Sequence, residues 1–117
     1  MEKHLFIIWN DSIKYSEKII NEIKSNFMIT YVTKKDDILI VITTSGNSLN
    51  VLKVLKEARS KKITSVGFLG NSGGKCKNFC DIKLLVPSKS TARTQESHIF
   101  LGHFILEQVE NLIIKKK

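Results

Sequence analysis

Five consecutive apolar residues, Ile38 to Ile42, run straight into Thr43-Thr44-Ser45-Gly46-Asn47-Ser48. A helical pattern begins at once: Leu49, Leu52, Leu55 and Ala58 define its expected face, and it reaches about Lys61. So apolar a run predicts a strand over residues 37–43 that is buried on both faces, as in a parallel sheet. A strand that feeds a helix directly is half of a βαβ unit.

The alternation recurs along the chain. Residues 4–9 (HLFIIW) predict a first strand, and Asn10 and Asp11 can cap a helix whose apolar face is Ile13, Ile19, Ile20, Ile23 and Phe27. Residues 28–32 predict a second strand, 63–70 a fourth, and 81–87 a fifth, closed by the only proline, Pro87. Between the last two, NSGGKCKNFC predicts a loop with about one helical turn. A long helix follows over residues 91–115, with Ile99, Gly102, Leu106, Val109 and Ile113 along one side. The expected fold is α/β: three α-β-α layers around a mostly parallel sheet of about five strands, of the flavodoxin-like nucleotide-binding type.

One joint departs from this scheme. Only residues 33–36 link the second and third strands, and a parallel crossover needs about a dozen residues or more. The strand at 28–32 is therefore expected at an edge or in a hairpin.

At 117 residues the chain is expected to be one domain, 1–117. Its N-terminus, with Glu2 beside Lys3, does not read as a signal peptide, and no apolar run has membrane-span length, so the expected location is the cytoplasm. The net charge is +8, but the lysines are scattered along helices and no basic stretch is interleaved with aromatics. That pattern predicts a solvated surface rather than a nucleic-acid footprint. Cys76 and Cys80 stand alone, with no second ligand pair for zinc, and predict two reduced thiols at a short helical turn.

Ligands of open parallel sheets bind beyond the carboxyl ends of the strands. The turn at 43–48 sits at such an end and opens a helix, whose first N–H groups lack intrahelical partners and favour an anion. Thr43, Thr44, Ser45 and Ser48 could add hydroxyl donors, and Gly46 permits close approach. Ordinary turn chemistry would also select Ser, Asn and Gly here.

The stretch DILIVITTSGNSLNVLKVLKEARSKKITSVGFLG resembles the core of the sugar isomerase (SIS) domain, and among SIS proteins it is most similar to the phosphoheptose isomerases. The resemblance continues through GNSGGK, DIKLLVPS and TARTQESHIFLGHFILEQVE, covering about residues 36–110. It implies a phosphosugar ligand, a sedoheptulose 7-phosphate type of substrate and a role in heptose precursors of surface polysaccharide. It implies that Thr43, Ser45 and Ser48 hold the phosphate. It also implies that Gln95 and His103 belong to a metal site that commonly holds zinc, with His103 as the catalytic acid. By spacing alone, His103 reads rather as a core or capping histidine, and only the resemblance favours the site. The resemblance further implies a homotetramer.

Residues 1–35 do not match. The family's Gly-rich loop, and the helix whose histidine and glutamate supply metal ligands and the catalytic base, have no counterpart in IIWNDSIKYSEKIINEIKSN. The segment reads as an atypical β-α-β start joined to a truncated SIS core over 36–117. The expectation is a phosphosugar-binding protein with weak or no isomerase activity alone. Its alternatives are a non-catalytic sensing or interaction module, like the DnaA initiator-associating relatives, and a remnant that only folds.

Overall fold

The computed structural model of the protein describes residues 5–9 and 35–115. In chain order these form β1 (Leu5–Trp9), β2 (Ile38–Thr43), α1 (Leu49–Ser60), β3 (Thr64–Gly70), a 3-10 turn (Lys75–Phe79), β4 (Ile82–Val86) and α2 (Thr91–Lys115). The four described strands are all parallel and lie side by side in the order β1-β2-β3-β4. Ile40 stands opposite Ile7 on one side and Val66 on the other. The helix expected over residues 11–27 and the strand expected at 28–32 lie outside the described residues. Both edges of β2 are taken, by β1 and β3.

Three layers result. The β2-α1-β3 and β3-turn-β4 connections step across the sheet in one direction, so right-handed crossovers place α1 and the 3-10 turn on the same face. There Leu39 and Val41 of β2, Leu69 of β3 and Cys76 and Cys80 of the crossover pack with α1 into one buried cluster. Lying on the opposite face, α2 packs chiefly on β3 and β4. Arg59 and Lys56 of α1 sit over the Phe79 ring, at 4.9 and 5.3 Å from its centroid, and Arg59 donates to the Asn78 carbonyl at 2.9 Å. The β3–β4 connection closes where Ser65 N–H donates to Asp81 Oδ2 at 2.8 Å and Asp81 N–H donates to Ser65 Oγ at 3.1 Å.

Helix α1 ends without glycine. Lys62 takes a left-handed φ of 59°, Ile63 N–H donates to Ala58 O at 2.9 Å, and Lys62 N–H donates to Arg59 O at 3.1 Å. This is the Schellman pattern, with buried Ile63 as its apolar contact. Both cysteines are free thiols, as expected, and burial pushes each thiol up to about 11.

Two sequence expectations are corrected. First, β2 is not buried on both faces: Leu39, Val41 and Thr43 are buried, Ile40 and Ile42 are half-buried, and Ile38 is exposed. α1 covers one side fully, while α2 lies mainly over the neighbouring strands.

Second, the buried face of α1 is Val51, Val54, Leu55 and Ala58, with Asn50, while Leu49 is 65% exposed. A leucine every third residue slips back about 60° per step on a 3.6-residue helix. Positions 51, 54, 55 and 58 keep the i, i+3, i+4, i+7 stripe.

The side of α2 that carries Ile99, Leu106, Val109 and Ile113 faces outward, and only Thr94 and His98 of this helix are buried. A 25-residue helix is about 37 Å long, whereas strands of five to seven residues span about 20 Å, so α2 outruns the sheet it packs on.

Because the valine-centred stripe carries the packing, Leu55→Ala should lower the urea unfolding free energy by about 2–5 kcal/mol. Leu49→Ala should change it by less than about 0.5 kcal/mol. Equal losses would restore the leucine face.

Candidate functional site

Parallel strands end on one edge, and three of those ends meet here. The loop after β2 turns through Gly46, at φ 70°, and docks against the loop after β3. Cys76 N–H donates to Gly46 O at 2.8 Å and Lys75 N–H to Asn47 Oδ1 at 3.0 Å. A Cβ at Gly46 would collide with the Gly73 carbonyl, and one at Gly74 would stand 2.5 Å from Asn47 Oδ1. The two loops therefore form one interlocked unit.

The chain leaves β4 through Ser88 and enters α2 at Thr91. Ser90 caps that helix: Arg93 N–H reaches Ser90 Oγ at 3.4 Å and Thr94 N–H reaches Ser90 O at 3.0 Å. Asn71, held at φ 54°, donates its N–H to Ser88 O at 3.1 Å, tying the ends of β3 and β4. Gly70 allows the closest approach: a Cβ there would lie 2.7 Å from Thr94 Cγ2 and strike the Thr44 carbonyl.

Between these ends lies a cavity of about 120 Å³ lined by Thr44, Ser45, Asn71, Ser88, Lys89, Thr91 and Thr94. Among the described residues its wall carries five hydroxyls, an amide and one ammonium, with no carboxylate. The start of α2, whose first amides lack intrahelical acceptors, borders it. Such a lining can bind an oxyanion by charge-assisted hydrogen bonds.

Of the expected phosphate ligands, Ser45 lies on this wall, its Oγ accepting from Asn47 N–H at 3.1 Å. Thr43 lies beneath the loop, 1% exposed, with Oγ1 accepting from Gly46 N–H at 3.3 Å. Ser48 is half-buried at the start of α1, and its hydroxyl donates to Asn50 Oδ1. Neither Thr43 nor Ser48 lines the cavity. Gln95 is half-buried on α2. His103 is exposed two turns on, about 12 Å along the axis. It lines a separate open cleft with Phe100, Phe104 and Glu107.

No group of three or more His, Cys, Asp or Glu side chains that could hold a metal occurs among the described residues. Gln95 and His103 are two protein ligands short of a tetrahedral zinc site, so the described residues alone do not fit zinc. Sequence reasoning missed Asn71, Ser88, Lys89, Thr91, Thr94 and Glu107. The usable signal was SKST after Pro87, a hydroxyl cluster at a strand end that opens a helix.

No family model matches the chain. Over 84 residues it is 48% identical to the phosphoheptose isomerase of Clostridium acetobutylicum, covering 72% of this chain and 43% of that protein. Over 83 residues it is 46% identical to the phosphoheptose isomerase of Burkholderia pseudomallei, covering 71% and 42%. Over about the C-terminal 70% of its length, this chain is homologous to the phosphoheptose isomerases. The chain spans less than half the length of these relatives.

Solved phosphoheptose isomerases share the fold. That of Francisella tularensis superposes with a TM-score of 0.75 at 26% identity, covering 90% of this chain and 74% of that one. That of Neisseria gonorrhoeae gives 0.69 at 34% identity, covering 73% and 48%. The parallel sheet with helices is therefore the phosphoheptose isomerase (SIS) fold.

The loop interlock yields a stability test. Gly46→Ala forces a side chain into the left-handed region and into Gly73, and should cost roughly 2 kcal/mol or more. Ser45→Ala, on the exposed side of the same loop, should stay within about 0.5 kcal/mol of the parent. Urea denaturation of both reads the difference, and a harmless Gly46→Ala would mean that the loops are not interlocked.

Proposed function

We propose that this chain binds a sugar phosphate of the sedoheptulose 7-phosphate type at the carboxyl edge of its sheet, as a partial phosphoheptose isomerase with weak or no turnover of its own. The observation that carries the reading is the hydroxyl-lined cavity with Lys89 at the end of a parallel sheet. Homology to phosphoheptose isomerases supports the choice of ligand class. In this reading Ser45, Thr44 and the start of α2 hold the phosphate, with Thr43 and Ser48 shaping the loop from behind. The setting is heptose precursor metabolism in the cytoplasm. No described helix is long and apolar enough to cross a membrane. The apolar side of α2 supports assembly into a homo-oligomer such as a tetramer.

Ketose–aldose isomerisation moves a proton between adjacent carbons through an enediol, and needs a base, an acid and a stabiliser for the enediolate oxygen. His103, the expected acid, lies outside the cavity, in the open cleft that Glu107 also lines. The base is the weak point: among the described residues no carboxylate lines the cavity, and Glu96 is paired with Arg93 at 3.0 Å on the exposed side of α2. The same observation favours a second reading, a non-catalytic phosphosugar-binding module.

Two outcomes follow. Ser45→Ala should weaken binding of sedoheptulose 7-phosphate by roughly 1–3 kcal/mol in calorimetry, the loss of one hydrogen bond to a charged group. Unchanged affinity would take the loop out of the site. Turnover of the same sugar, with and without added zinc, should fall short of an enzyme with a placed base by about 10²–10⁴-fold. Turnover of about one per second or faster, lost in His103→Ala, would establish an active isomerase and reject the impaired one.

A further inference from the structure

We propose that His98 is a positioning residue: its imidazole clamps α2 to the end of β3 and so fixes the walls of the anion cavity, a reading that rests on the phosphosugar assignment of that cavity. His98 is 4% exposed and does not line the cavity. One ring nitrogen, Nε2, lies 2.8 Å from the Leu69 carbonyl oxygen. A carbonyl only accepts, so Nε2 carries the hydrogen and Nδ1 is a bare acceptor. That Nδ1 is buried and has no hydrogen-bond partner.

An apolar ring at this place would pack on Phe68, as His98 does edge-on at 5.9 Å, with no polar atom to bury. The imidazole adds one thing that such a ring lacks, the donor to Leu69. Leu69 is followed by Gly70 and Asn71, the residues that meet Thr94 and Ser88. Thr94 and His98 are one turn apart and are the two buried residues of α2. Thr94 donates through Oγ1 to the Ser90 carbonyl at 3.0 Å. His98 thus ties α2 to the end of β3, while Thr94, bonded to the cap of its own helix, reaches the β4 end only through the Ser88 carbonyl at 3.5 Å. Apolar burial holds α2 only in part: Leu101 and Ile105, on the stripe of Thr94 and His98, are half-buried, and the other large apolar side chains of the helix are exposed.

The test uses the full chain with His98→Phe, which keeps the ring packing and removes the donor, and His98→Gln, which restores a donor of similar reach. Amide exchange is followed by NMR, and binding of inorganic phosphate and of sedoheptulose 7-phosphate by calorimetry. With His98→Phe, exchange at Thr94 and Asn71 should rise about tenfold while Val54 and Leu55 stay unchanged, and both ligands should bind about tenfold more weakly, the worth of one hydrogen bond. With His98→Gln both should return to within about twofold of the parent. If His98→Phe does not fold, His98→Asn, a polar side chain too short to reach Leu69, takes its place with the same expectation. Unchanged exchange at Thr94 and Asn71, or an equal rise at every amide, overturns the clamp. Local exchange that responds as expected in a parent chain that binds neither ligand upholds the clamp and overturns the phosphosugar reading instead.

Discussion

The parallel pairing of β2 with β3 and of β3 with β4 is what everything at the cavity depends on. It delivers three strand ends to one edge, where loops from distant parts of the chain must share a small volume. Two close approaches make the sharing possible: Gly46 against the Gly73 carbonyl, and Gly70 against Thr44 and Thr94. Side chains at either glycine would push the walls apart before any ligand arrived. The cavity is thus a property of backbone packing, with hydroxyls supplied afterwards by whichever residues line the gap.

Much of this was legible in the sequence because the strongest signals are local. The apolar runs located all four described strands to within a residue or so, and the hydroxyl cluster before a helical pattern pointed to the correct end of the sheet. The bounds of α2, Thr91–Lys115, follow from uninterrupted helical residues after Pro87 and Ser90. The misses are of another kind. Thr43 and Ser45 are neighbours but one separation in sequence, and nothing local says that the first turns under the loop while the second faces the cavity. Ser88, Lys89 and Thr91 join the site only through the β3–β4 register, which is a tertiary fact. That the apolar side of α2 faces outward could not be read either, because a helical stripe records that a face is apolar, not that a partner lies within the same sheet.

The division of labour within the matched region is also physical. α1 is held by aliphatic burial, which tolerates small slides and local repacking. α2 is held to the sheet by the half-buried Leu101 and Ile105 and by His98, whose hydrogen bond to Leu69 is directional and loses strength steeply with misalignment. The helix that walls the cavity is thus seated in part by an interaction suited to fixing a position.

The outward side of α2 has a consequence for the chain in solution. With Phe100, Phe104, Leu112, Ile113 and Ile114 all half exposed or more, α2 presents oily side chains to solvent along much of its length. Nineteen Lys and Arg against eleven Asp and Glu place a net positive charge of +8 on a 117-residue body. Like-charged molecules keep one another apart at low ionic strength, but the screening length shrinks to about 8 Å in physiological salt. Added salt should therefore act on this protein as a glue: by muting the lysines it lets the oily sides of two molecules come within reach of each other.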